Sequence, residues 1–252
     1  MARQPAASLN NNRSTDVVAF YEILSHLLDR VRGPYRLKDC SGRLQFPARG
    51  VYFVYEGGEA RSDTGSGTRV VRVGTHAIKS DARTTLWQRL SQHRGAASTG
   101  RGNHRGSIFR LLVGDAIIRR DGLRIESWGR GSDVRTAAAA LSLTRQVVGD
   151  IEQPVENAVS SHIGEMQVLW VNVDDSPGPS SKRNYLEQNS IALLSNYGKT
   201  ALDRASPTWL GWYSSRSQVH ESGLWNIREV DRSYDPEFLV HLDKAVRCTS
   251  PP

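Results

Sequence analysis

The sequence predicts an α/β fold. Three observations carry that prediction. Two segments rich in β-branched and aromatic residues read as a β-hairpin over 49–75, a later apolar run at 165–173 reads as a buried strand, and helical spacing of apolar residues recurs before, between and after them. The chain has 252 residues, of which 38% are hydrophobic and six are Trp, so it can bury a sizeable core.

Taken in order, residues 1–16 are polar and without a usable period, which predicts a disordered tail. Thr15 or Asp16 is a candidate cap for a helix over about 17–32, with Val17, Phe20, Ile23, Leu24, Leu27 and Leu28 at helical spacing. Gly33-Pro34 stops it. Strands follow at 49–56 and 68–75, joined by the glycine-rich link 57–67. Residues 84–94 read as a helix ended by Gly95, and 95–106 as a flexible, basic loop. The apolar run 107–118 leaves helix and strand open. Residues 134–150 look helical, 165–173 like a strand, 182–196 like a helix, and 236–246 like a last helix opened by Asp235-Pro236.

Charge narrows the function. The net charge is +7, and it is unevenly spread: residues 1–130 carry +11 and residues 131–252 carry −4. Of the 33 basic residues only five are Lys. An Arg fork binds phosphate in a bidentate way that Lys does not, so a polyanion such as nucleic acid is one reading and an Arg-rich composition without such a role is the other. Cys40 and Cys248 stand alone, outside any zinc-ligand spacing. No apolar run reaches the roughly 20 residues that span a bilayer, and no secretory segment follows Met1, so a soluble, cytoplasmic protein is expected.

Four pieces in chain order now matter. Gly50-Val51-Tyr52 resembles the first signature of the GIY-YIG nuclease superfamily, and Arg72-Val73-Gly74 falls where the second, Tyr-Ile-Gly, is expected. The helix 86–93 is similar to the one that carries the family's Arg, here Arg89. The segment 186–191 is similar to the later helix that carries its metal-binding Glu, here Glu187. His93, four residues after Arg89, resembles the branch that includes type II restriction endonucleases. The chain departs from the pattern in its longer hairpin loop and in Arg72, which replaces the second Tyr. The resemblance implies a small, mainly antiparallel sheet flanked by helices, with additional helical insertions, and the hairpin at 49–75 agrees with it. It also implies a metal-dependent endonuclease acting on double-stranded DNA with Mg2+, or Mn2+ in its place. A restriction or defence role, a homodimer and a methyltransferase or other defence partner are further readings that the resemblance leaves open. The competing reading is a degenerate module of the same fold that grips nucleic acid without cutting.

The residues can also be read from their chemistry. Phosphodiester hydrolysis needs an activated water, a cation on the phosphate and a group that steadies the leaving oxygen. Glu187, Ile191 and Leu194 share a helix face, which embeds a carboxylate in an apolar stripe; a metal ion or an Arg would compensate it. Arg89 and His93 share a face, where Arg89 can hold the scissile phosphate and His93 can donate to it or relay a proton; a solvated helix edge is the bland alternative. Tyr52 would orient or deprotonate water under the resemblance, whereas a strand Tyr ordinarily packs. Arg72 is a candidate phosphate or water contact, and His76 and Lys79 are evenly balanced. Arg94, Arg101, His104 and Arg105 form a candidate nucleic-acid-binding segment. The Trp209–Tyr213 aromatic cluster suits base stacking or, better, the core. The expected organisation is a tail at 1–16, a helical extension at 17–48, a nuclease core at 49–200 with an insertion at about 95–164, and a C-terminal extension at 201–252 packed on the core.

Overall fold

A computed structural model describes residues 6–252, with side chains from residue 12 on. Its centre is a four-stranded antiparallel sheet of order β1-β4-β2-β3, with β1 at Tyr35–Arg36, β2 at Gly50–Ala60, β3 at Thr68–Gly74 and β4 at Gln167–Asn172. Both faces are covered. Val51, Phe53, Val73, Leu169 and Val171 point to the layer of α1 (Ala6–Val31), α6 (Lys182–Leu194) and α8 (Phe238–Arg247). Tyr52, Val54, Val71, Val168 and Trp170 point to α2 (Leu86–Arg94), α3 (Ile108–Arg120) and α5 (Arg145–Glu165). Side chains alternate across a pleat, so a strand segment buried on both faces must be apolar at every position, and β2 is so over residues 51–55 before Glu56 and the glycines that follow.

The helices depart from expectation in instructive ways. α1 starts at Ala6, so residues 6–16, expected to be a tail, are helical; residues 1–5 of that expectation lie outside the described residues. The anchor is Arg13, buried under the chain, whose guanidinium donates to the carbonyls of Leu193, Ser195 and Thr200. A polar N-terminal stretch hid it because one Arg does the work of an apolar stripe. The undecided run 107–118 is helix α3, capped by Ser107 Oγ on the Arg110 amide. The helix expected at 134–150 is two: α4 (Val134–Ala140) ends before Ser142, at φ 55°, and Thr144 caps α5. α5 then runs through Pro154 to Glu165, held by Val148, Val155, Val159 and Ile163 on its buried face.

The edge of β3 is closed by a segment from far along the chain. Trp225 N donates to Val71 O at 2.7 Å, and the Asn226 amide brackets Val73, accepting from its N–H at 3.2 Å and donating to its C=O at 2.9 Å. This blunts an edge strand. It also brings residues 226–229 beside the carboxyl end of β3. No helix among the described residues is long and apolar enough to cross a membrane.

Candidate active site

Tyr52, Gly74 and Trp170 sit opposite one another across three strands. The Tyr52 ring lies over Gly74: a Cβ there would fall 2.2 Å from Tyr52 Oη. Glycine is therefore required by space at this point, not by backbone angle. Tyr52 is fully buried, and its Oη is 2.7 Å from His93 Nε2. His93 Nδ1 is in turn 2.7 Å from Ser107 Oγ, the α3 cap. Burial, then the charges of Arg89, Arg72 and Arg110, hold the His93 pKa well below its ordinary value, so the ring is neutral.

Beside this pair lies a cleft of about 570 Å³ between the end of β3, α2, α6 and the segment 226–229. Arg72, Arg89 and Glu187 line it. Arg89 is half-buried on α2, which a Thr85–Gln88 capping box starts, and its Nη1 reaches Gly106 O at 3.2 Å. Arg72 is 5% exposed; its Nη1 donates to Trp225 O, its guanidinium lies 4.7 Å over the Phe109 ring, and its Nε is buried without a partner. Glu187 Oε1 accepts from the Thr75 amide at 3.1 Å. Burial pushes the Glu187 carboxyl up to about 7, with Glu229 across the cleft adding to the effect and Arg72, the Thr75 amide and Arg89 opposing it.

Five side chains from positions 52, 72, 89, 93 and 187 thus gather at one place on a small antiparallel sheet. A family model described as the GIY-YIG domain matches residues 11–252. The chain belongs to the GIY-YIG family. No curated protein and no solved structure matches it. This is a nuclease family, and its nucleases generally use divalent metal ions.

The residues present fit such an ion in one way. Among the described residues no three His, Cys, Asp or Glu side chains converge, so there is no all-protein cage. A hard cation that keeps most of its water asks for only one or two carboxylates plus substrate phosphate. Glu187 meets that need: it is half-buried in the cleft and unpaired with Arg or Lys, and it loses stability by being charged alone.

The basic segment of this GIY-YIG domain is another matter. His104, expected to bind nucleic acid, is 1% exposed. Its Nδ1 donates to Glu156 at 2.9 Å, its Nε2 accepts from the Gly129 amide at 3.1 Å, and its ring stacks on Trp128. Arg105 forks onto Glu152 with two bonds of 2.7 Å and donates to Ser127 O. Arg94 donates to Cys40 O and lies 5.0 Å over Trp87. The flexible loop expected at 95–106 is thus a tied segment, and only Arg101 of the four is exposed. The reason is that the carboxylates Glu152 and Glu156 arrive from α5, 47 and 52 residues further along the chain than Arg105 and His104. Trp209 and Trp225 are core residues whose indole N–H groups both donate to Glu56, while Trp212 and Tyr213 are about half exposed.

Sequence reasoning missed Ser107, Asn226 and Glu229. Ser107 had a legible signal as a helix cap, lost because the segment after it was left open. Asn226 and Glu229 had none, since a loop residue reaches the site only through the long-range pairing at β3.

Proposed function

We propose that the protein is a Mg2+-dependent endonuclease that hydrolyses phosphodiester bonds in double-stranded DNA. The observation that carries this reading is the Tyr52–His93 pair behind a cleft that presents Arg72, Arg89 and Glu187. Neutral His93 can accept the hydrogen bond of the Tyr52 hydroxyl through Nε2 and so fix the phenolic oxygen, which would orient the attacking water. Arg89, which lines the cleft, would bind the scissile phosphate and offset its growing charge. Arg72 supplies a second cation, with its unpaired Nε as the donor left over for phosphate or water. Glu187 would hold the cation, which when bound neutralises phosphate charge and acidifies water; Mn2+ would substitute for Mg2+. The Arg89–His93 spacing, which resembles that of the branch that includes type II restriction endonucleases, further supports a restriction or defence role; a cytoplasmic location, a homodimer and a methyltransferase or other defence partner would go with that role.

One observation favours the second reading, a binding module that no longer cuts. Tyr52 is fully buried, and the partner of its hydroxyl is His93 rather than the cleft. Incubation with mixed DNA substrates, with and without Mg2+, separates the two. Defined fragments that need the metal support the enzyme. Retarded but uncut DNA across Mg2+ and Mn2+ supports the module.

A further inference from the structure

The end of β3 is clamped by α6 at two points one turn apart. Glu187 accepts from the Thr75 amide, and Arg183 donates to the carbonyl of His76. Next along the chain, Ala77 takes φ 53°, a conformation that a residue with a Cβ rarely adopts. The clamp and the strained residue fix the backbone of His76 and leave its ring little freedom.

That ring is 5% exposed and lines the same cleft as Glu187 and Arg89. Its Nδ1 is 2.8 Å from Thr84 O. A carbonyl only accepts, so Nδ1 carries the proton and Nε2 presents a bare lone pair. Nε2 is buried with no hydrogen-bond partner. A buried acceptor in this condition signals a missing water or ligand. Burial, and then the charges of Arg183, Arg49 and Arg89, hold the imidazole pKa down to about 4, opposed by the bond to Thr84, so the lone pair persists at neutral pH. Those same three cations disfavour a further cation on Nε2 and favour a neutral donor.

We propose that His76 is a positioning residue whose Nε2 accepts a hydrogen bond from a water in the cleft that Glu187 and Arg89 also line. Its part in cleavage rests on the nuclease reading; its state as a bare acceptor does not. A water held by a neutral imidazole loses orientational freedom before the phosphate arrives, which is what an attacking water requires.

Two measurements test this. In the metal-free wild-type protein at neutral pH, long-range 1H–15N NMR of the His76 ring should show Nδ1 protonated and Nε2 bare, and added Mg2+ should leave Nε2 free of direct coordination. A protonated Nε2, or an Nε2 resonance that moves to a metal-bound value, overturns the proposal. In cleavage assays, His76→Leu should lower kcat about 10- to 100-fold with KM little changed, and His76→Gln, which restores an acceptor, should recover most of the loss. A His76→Leu protein with wild-type kcat, or a His76→Gln protein as slow as His76→Leu, overturns it also. Where His76→Leu does not fold, His76→Gln and the ring spectrum still decide. A wild-type protein that cuts nothing with Mg2+ or Mn2+ instead removes the nuclease reading and the catalytic part of the inference with it, while the ring spectrum reports separately on the acceptor.

Discussion

Two basic regions of this molecule look alike in sequence and differ in structure. Around 94–110, Arg105 and Arg110 are forked onto Glu152 and Glu156, and His104 closes the same network. Around the cleft, Arg72 keeps an unpaired Nε, Glu187 makes no direct ion pair and feels Arg72 and Arg89 only at a distance, and His76 keeps an unpaired Nε2. The first region has its charges satisfied within the fold. The second leaves donors and acceptors unspent in a cavity. Folding removes such loose ends wherever it can, because each costs stability. Others persist singly elsewhere, at Arg61, Ser127, His162 and Ser190, whereas Arg72 and His76 share one cleft with Glu187, which is where a ligand would complete the structure.

The largest expected effect is on cleavage through Glu187. Glu187→Gln keeps the shape and removes the charge that would hold the cation, so the rate should fall by about three orders of magnitude or more. The melting temperature should hold or rise, because a buried charge without a partner is relieved. Wild-type cleavage by Glu187→Gln would remove Glu187 as the metal ligand. A marked loss of melting temperature would place it with the satisfied charges of the other region.

Arg110→Ala makes the opposite kind of demand. Arg110 is fully buried and donates to Glu156 Oε2 at 3.0 Å, to His93 O and to Glu156 O. Its loss leaves Glu156 charged and underpartnered, at a cost of about 3–5 kcal/mol in denaturant unfolding. A cost below about 1 kcal/mol would mean that the region is not held by its ion pairs. Arg89→Ala comes next. It should slow cleavage by about a hundredfold or more while DNA affinity falls less, because its contact matters most as charge builds on the phosphate. An equal drop in rate and affinity would make Arg89 a general binding contact.

Glu187 also predicts a pH dependence of stability. Its folded pKa, about 7, lies above the ordinary 4.5, so the folded state holds the proton more tightly than the unfolded chain. Its contribution is fully present below about pH 4.5 and is lost as pH rises to about 7, by roughly 3 kcal/mol at most before solvent screening. The stability difference between wild type and Glu187→Gln, measured by denaturant unfolding without metal, should therefore widen in favour of Gln across that window. A flat difference would show the carboxylate to be compensated.

The sequence carried the strands and the signature positions because both are local. Gly50-Val51-Tyr52 and Gly74 declare themselves within a few residues, and a doubly buried strand must be apolar throughout. Glu187 was legible as a carboxylate out of place in a helical stripe. The partners of the basic residues were not legible. Nothing near His104 or Arg105 names Glu156 or Glu152, and nothing near Arg72 names Trp225. Composition reports that charges are present; only topology reports whether they are spent. The same holds for residues 6–16, where Arg13 looked like a tail charge and is a buried tether to the end of α6.

The smallest effect is the one that tests the comparison most directly. Arg101 is the exposed member among the basic residues of the segment 94–105, next to a turn and free to meet phosphate, whereas Arg105 is tied to Glu152 and Ser127. Each phosphate contact by an Arg releases counterions, so losing one contact lowers the slope of log K against log salt by about one. Arg101→Ala should reduce that slope by about one, weaken DNA binding a few-fold at low salt and leave the melting temperature unchanged. Arg105→Ala should leave the slope almost unchanged and lower the melting temperature, because Glu152 loses its fork. If the two variants exchange these behaviours, the segment binds nucleic acid through the residues that the fold has tied down, and the distinction between spent and unspent charge fails at the place where it is easiest to measure.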